Sequence, residues 1–138
     1  MNLQGLVRDN ISELLVRIIE FTENRQKVLV RNINRMNQPD FVPLDLAVDE
    51  FSDSLNVAIG EYLRHNRLVL CDTENVKFQI DAGIEAQPIV DTEALELLEE
   101  SRNEYVEMQI SKLLENALNQ RVAAELLKER QAVACSVR

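Results

Sequence analysis

From residue 91 to about residue 132 the chain carries neither glycine nor proline. At a rise of about 1.5 Å per residue, such a run can form one helix of about 60 Å. Asp91 stands at its start as a candidate cap, with Glu93 and Glu96 in the first turns and Lys128 and Arg130 near the end, the charge order that a helix dipole favours. Val106, Ile110, Leu113, Ala117, Gln120, Ala124 and Leu127 alternate four and three residues apart, a seam spacing. The polar run from Glu99 to Glu104 interrupts that stripe, and a shift of register is expected there.

The front of the chain has the same character. Gly5 is the only glycine or proline before Pro39, and Val7, Ile11, Leu14, Ile18, Phe21, Arg25, Val28 and Asn32 repeat at four and three. Arg25 and Asn32 alone interrupt this seam with polar side chains, and a polar seam residue commonly fixes register at a cost in stability. The helix is expected to end near Gln38, because Pro39 disfavours helical geometry in the residue before it. Three units follow: an N-terminal helix over 1–38, a middle segment over 39–90, and a C-terminal helix over 91–138. The fold class is mainly α, with two long terminal helices in a coiled-coil-like pair and a small irregular, β-containing middle. In that middle, Asp49 is expected to cap a short helix through Phe51, Leu55, Ile59 and Tyr62. Residues 68–71 and 76–80 are expected to pair as a hairpin around 72–75, with 81–88 as a connector.

Composition narrows the functions. The chain has 138 residues, 46% of them hydrophobic and 28% charged, and carries a net charge of −9. Nucleic acid is a poor partner for it, because phosphate binding needs clustered Lys and Arg. The first residues show no basic region followed by a continuous apolar run, so no cleaved signal peptide is expected. Cys71 and Cys135 are too few and too far apart for a zinc set and read as free thiols. His65, beside Arg64 and Arg67, reads as a solvated helix end. Glu99 and Glu100 are adjacent in a helix and diverge by about 100°, unsuited to act on one bond. No enzyme, cofactor, metal or small-molecule substrate is expected.

The stretch 25–46 carries a resemblance. Arg25-Gln26-x-Val28-Leu29-x-x-Asn32-Ile33, followed by Pro39, Phe41, Asp45 and Leu46, resembles the N-terminal signature of bacterial flagellar basal-body rod proteins, nearest to the FlgB-type proximal-rod subunits. Val90-Asp91-x-Glu93 is similar to the motif that opens that family's C-terminal helix. Where the family has threonine before the proline and glycine after it, this chain has Gln38 and Asp40. The resemblance implies a structural subunit of the proximal rod, exported through the flagellar type III channel without a cleaved signal peptide and located in the basal body. It implies self-assembly and contact with other rod subunits and with membrane-ring or export-gate components. Arg25, Gln26, Leu29, Asn32, Ile33, Pro39, Phe41, Asp45, Asp91, Glu93, Val106, Ile110, Leu113 and Ala117 are then the subunit-interface candidates. The alternative is a soluble helical adaptor or export chaperone that binds a partner helix through the same apolar faces.

Overall fold

A computed structural model describes residues 9–79 and 83–136, with the side chain of Ser136 excepted. Val7 of the first seam, Ile80 of the expected hairpin, and residues 81–82 lie outside the described residues. The chain is mainly α, with two long terminal helices and small antiparallel strand pairs between them.

Helix α1 (Asn10–Asn34) begins where the Asp9 carboxylate accepts a hydrogen bond from the Ser12 amide at 2.7 Å. It ends at Asn34, short of the expected Gln38. Turns take over before the proline is reached: the Gln38 amide donates to the Arg35 carbonyl and the Phe41 amide to the Gln38 carbonyl. Asp40 turns the chain with φ 59°, the left-handed geometry that glycine would adopt without penalty.

Strand β1 (Leu44–Asp45) follows, and then helix α2 (Val48–His65). Asp49 lies in the first turn of α2 and does not cap it; Ala47 holds the cap position without a side-chain bond. The helix runs through Gly60 and closes on Asn66, which has φ 54° and donates its amide to the Tyr62 carbonyl. His65 is at that exposed end, against Glu61 at 3.2 Å.

The hairpin forms with different partners from those expected. Strand β2 (Val76–Gln79) pairs antiparallel with β3 (Gly83–Ala86), drawn from the expected connector, while residues 68–71 form no strand. The expected turn at 72–75 is instead tied to α2. Glu50 accepts from the Asn75 amide at 3.0 Å and from its side-chain amide at 2.7 Å, and Ser54 donates to the Cys71 carbonyl. Gly83, at φ 78°, begins the returning strand. Two-residue strand β4 (Ile89–Val90) pairs with β1.

The largest correction concerns the C-terminal helix. It is two helices, α3 (Thr92–Glu100) and α4 (Arg102–Ser136), separated by Ser101 in extended geometry with φ −154° and ψ 106°. Asp91 caps α3 as expected, accepting from the Ala94 amide at 3.1 Å. The break falls inside the polar run that interrupts the apolar stripe.

Helices α1 and α4 pair antiparallel: Asn32 meets Tyr105 and Gln109, Thr22 meets Asn116, and Leu15, Val16 and Ile19 cluster with Ala123 and Leu127. A second core lies under the middle segment, where Phe21, Leu46, Phe51 and Val76 pack together. Phe21 and Phe51 stack there with ring centroids 4.0 Å apart. Among the described residues no helix is long and apolar enough to cross a membrane.

Candidate functional site

The face that α4 turns toward α1 is mainly polar. Tyr105, Gln109, Asn116, Ala123 and Leu127 are buried and Lys112 is partly so, all on one helical stripe at the spacing of a seam. As far as Ala117 the apolar stripe expected to fill that role lies one residue further on, a rotation of about 100°, whereas Leu127 of that stripe is buried as expected and Ala124 packs against the same cluster. Val106 and Leu113 are half-buried, and Ala117 and Ile110 are exposed. Ile110, Leu114, Leu118 and Val122 retain 46%, 62%, 63% and 57% of their accessible surface.

Polar groups occupy the interior because the backbone around Pro43 leaves donors and acceptors that need partners. Asn32 is fully buried and bonds the backbone of β1 in both directions: its Nδ2 donates to the Leu44 carbonyl at 2.7 Å, and its Oδ1 accepts from the Leu44 amide at 3.1 Å. The same Nδ2 donates to Gln109 Oε1 at 3.0 Å, and the Tyr105 hydroxyl donates to the Asn32 carbonyl at 2.7 Å. Burial pushes the Tyr105 hydroxyl up to about 12, with the charge of Asp91 acting in the same direction. Two turns beyond Gln109, the side-chain amide of Asn116 donates to the Thr22 carbonyl, while Thr22 Oγ1 donates back to the Ile18 and Ile19 carbonyls.

Beside this seam lies a buried charge network. Arg25 grips Asp45 through two bonds, Nε to Oδ1 at 2.9 Å and Nη2 to Oδ2 at 3.1 Å. Lys112 donates to Asp45 Oδ2 at 3.1 Å and also to Asp91. Burial alone would raise the Asp45 pKa, yet its bonds and charge contacts with Arg25, and then with Lys112, hold it below the usual carboxylate range. Burial likewise would lower Lys112, but Asp91 and Asp45 outweigh it and raise the ammonium's pKa. The network joins α1, β1, the cap of α3 and α4 at the floor of an open cavity of about 500 Å³.

The residues singled out from the sequence therefore divide. Arg25, Leu29, Asn32 and Asp45 are buried within the chain's own fold. Asp91 is held by Lys112, while Glu93 in the first turn of α3 is exposed. Ile33 is half-buried and Pro39 is exposed in the turn. Phe41 is half-buried and lies beneath the Arg31 guanidinium, 5.2 Å from the ring centroid. Gln26 is exposed, and it shares a shallow groove of about 260 Å³ with Ile110, Leu113, Leu114 and Ala117. Tyr105, Gln109, Lys112 and Asn116 were not among the expected residues. Their own four-three-four spacing was the signal that could have found them, had polar residues been admitted to a seam.

The opposite flank of α4 contributes Val122 and Leu126 to a second groove, of about 320 Å³, with α1 and α2. Cys71 and Cys135 are free and exposed. Among the described residues no set of His, Cys, Asp or Glu is arranged to hold a metal ion. Comparison with protein-family models, with curated proteins and with solved structures finds no match to this chain.

Proposed function

We propose that the chain is a structural subunit of a helical protein assembly, and, on the resemblance carried by residues 25–46 and 90–93, of the proximal rod of the bacterial flagellum. One observation carries the assembly reading: α4 turns polar side chains inward and leaves Ile110, Leu114, Leu118 and Val122 facing outward. Burying such a residue is worth roughly 1.5–3 kcal/mol, so a face of this kind gains by acquiring neighbours. In this reading the signature residues Arg25, Asn32 and Asp45 set the geometry of the α1–α4 pair, and the outward face of α4 meets adjacent subunits. The subunit performs no reaction and takes no cofactor.

The test replaces Leu114 and Leu118 together by Glu in the bacterium's own copy of the gene. The variant should fold with unchanged helix content yet fail to enter detergent-resistant basal bodies, and swimming should be lost. Normal motility with normal incorporation would overturn the reading. The burial of Arg25, Asn32 and Asp45 inside the chain's own fold favours a second reading, the self-contained adaptor or export chaperone. That protein would stay in the soluble fraction, and the same substitutions would release its client.

A further inference from the structure

The break between α3 and α4 falls at Ser101-Arg102-Asn103-Glu104, a Ser-x-x-Glu spacing that favours a helix start, but the same residues can also continue a helix. Neither glycine nor proline occurs from residue 91 to residue 136, and Ser101 is tolerated inside helices at modest cost. The hydrogen bonds on both sides of the break are already those of a continuous helix: the Ser101 amide donates to the Leu97 carbonyl at 2.7 Å, and the Tyr105 amide donates to the Ser101 carbonyl at 3.0 Å. Ser101 itself departs from helical values, with φ −154° and ψ 106°. What replaces the missing backbone bonds is a side-chain cap, with Ser101 Oγ accepting from the Glu104 amide at 3.3 Å.

Contacts far from the hinge hold the break closed. Lys112, three turns into α4, bonds Asp91 at the start of α3, so the two helices fold back beside each other. The Asp91 amide donates to the Pro43 carbonyl at 3.0 Å, and β4 pairs with β1. Along the rest of its length α4 packs on α1. The Asp91–Pro43 bond and the β1–β4 pair lie before the hinge and stay within one chain, whereas the Lys112–Asp91 contact and the packing on α1 can be made equally well by an α4 supplied from another molecule.

We propose that Ser101 is a hinge across which α3 and α4 join into one helix, and that in this opened form the chain exchanges α4 with a second copy of itself. The opened α4 seats on the partner's α1, and the Asn32–Gln109, Thr22–Asn116 and Asp91–Lys112 contacts all form again between chains. The two forms then differ mainly at the hinge. There the amides of residues 102–104 gain helical acceptors and the Ser101 cap is lost. Reciprocal exchange closes a dimer, and head-to-tail exchange extends a filament. The exchange rests on Ser101 and the α1–α4 contacts and is independent of the flagellar reading.

The test uses the full chain with Cys71→Ser and Cys135→Ser, refolded at low and at high concentration and sized by light scattering. Refolding at high concentration should yield dimers or larger species. Ser101→Ala removes the cap that only the closed form uses and should tighten the dimer about tenfold. Arg102→Pro should hold the protein monomeric at every concentration. Proline is favoured at the first position of a helix, suits the extended residue before it, and cannot lie within a continuous one. Arg102→Ala, which loses the Asn37 contact without the constraint, should still dimerise.

Exchange is separated from simple docking by spin labels at Glu93→Cys and Ser111→Cys, both exposed positions. With labelled protein diluted into excess unlabelled protein, the monomer should give a short distance and the dimer about 27 Å, the span of eighteen residues of helix. A short intrachain distance in the dimer, an Arg102→Pro variant that dimerises like the parent, or a Ser101→Ala variant that stays monomeric at high concentration would each overturn the proposal.

Discussion

Asn32 and Leu44 exchange two hydrogen bonds, at 2.7 and 3.1 Å, so that a helix side chain pairs with a strand backbone as a neighbouring strand would. Asn32→Leu keeps the volume but leaves the Leu44 amide and carbonyl without partners in a buried site. Each such group costs about 1–3 kcal/mol, and a loss of about 3 kcal/mol is expected in urea unfolding. Gln109→Met is the informative contrast. Gln109 Nε2 is buried without a hydrogen-bond partner, so removing the amide relieves one cost while it loses one bond. The net change should stay within about 1 kcal/mol. Equal losses in the two variants would show that Asn32 acts through packing alone.

The Arg25–Asp45–Lys112 network makes stability depend on acidity. Asp45 has its pKa depressed in the folded chain relative to the ordinary value of 3.8. Its stabilising contribution is therefore complete above 3.8 and disappears as pH falls through the lower folded value. The urea midpoint of the parent should fall on acidification below that ordinary value, and Asp45→Asn, less stable at neutral pH, should show a shallower decline. Lys112 has the opposite sense: its raised pKa keeps its contribution whole below 10.5, and the contribution is lost as pH rises through the higher folded value. Parallel acid profiles for parent and Asp45→Asn would remove Asp45 as the source.

At the turn after α1, Asp40 has a positive φ of 59° and is exposed. Asp40→Gly should leave stability unchanged or raise it by a few tenths of a kcal/mol, whereas Asp40→Val should lower it by about 1–2 kcal/mol because branching at Cβ resists that geometry. Thermal unfolding of the two variants decides the point, and equal melting temperatures would mean that the turn relaxes freely.

The two faces of α4 should respond in opposite ways. Leu127→Ala opens a cavity in the cluster with Leu15, Val16 and Ile19 and should cost about 2–4 kcal/mol. Leu118→Ala, on the exposed stripe, should change the stability of the isolated chain by less than about 0.5 kcal/mol. Chemical denaturation of both variants as dilute monomers makes the comparison; a large loss at Leu118 would mean that this residue is covered within the single chain.

The sequence by itself determined the helical class, the two long ends and the cap at Asp91, because these follow from periodicity, the scarcity of glycine and proline, and local hydrogen bonding. The burial of the α1 stripe, including its polar members Arg25 and Asn32, was legible for the same reason. Tertiary structure decided which face of α4 turns inward. Hydrophobicity favours the stripe through Ile110 and Ala117, but the buried Nδ2 of Asn32, which Gln109 accepts from, and the charges of Asp45 and Asp91, which Lys112 meets, turn the polar face inward. An unsatisfied buried polar group costs as much as an exposed leucine loses, so pairing over long sequence separations rotates the helix. At Ser101 a local cap is joined by the Lys112–Asp91 contact that folds α3 back beside α4, and at the hairpin Glu50 ties Asn75 to α2 while β2 pairs with β3. In both places local propensity allows more than one outcome, and contacts between distant residues select one.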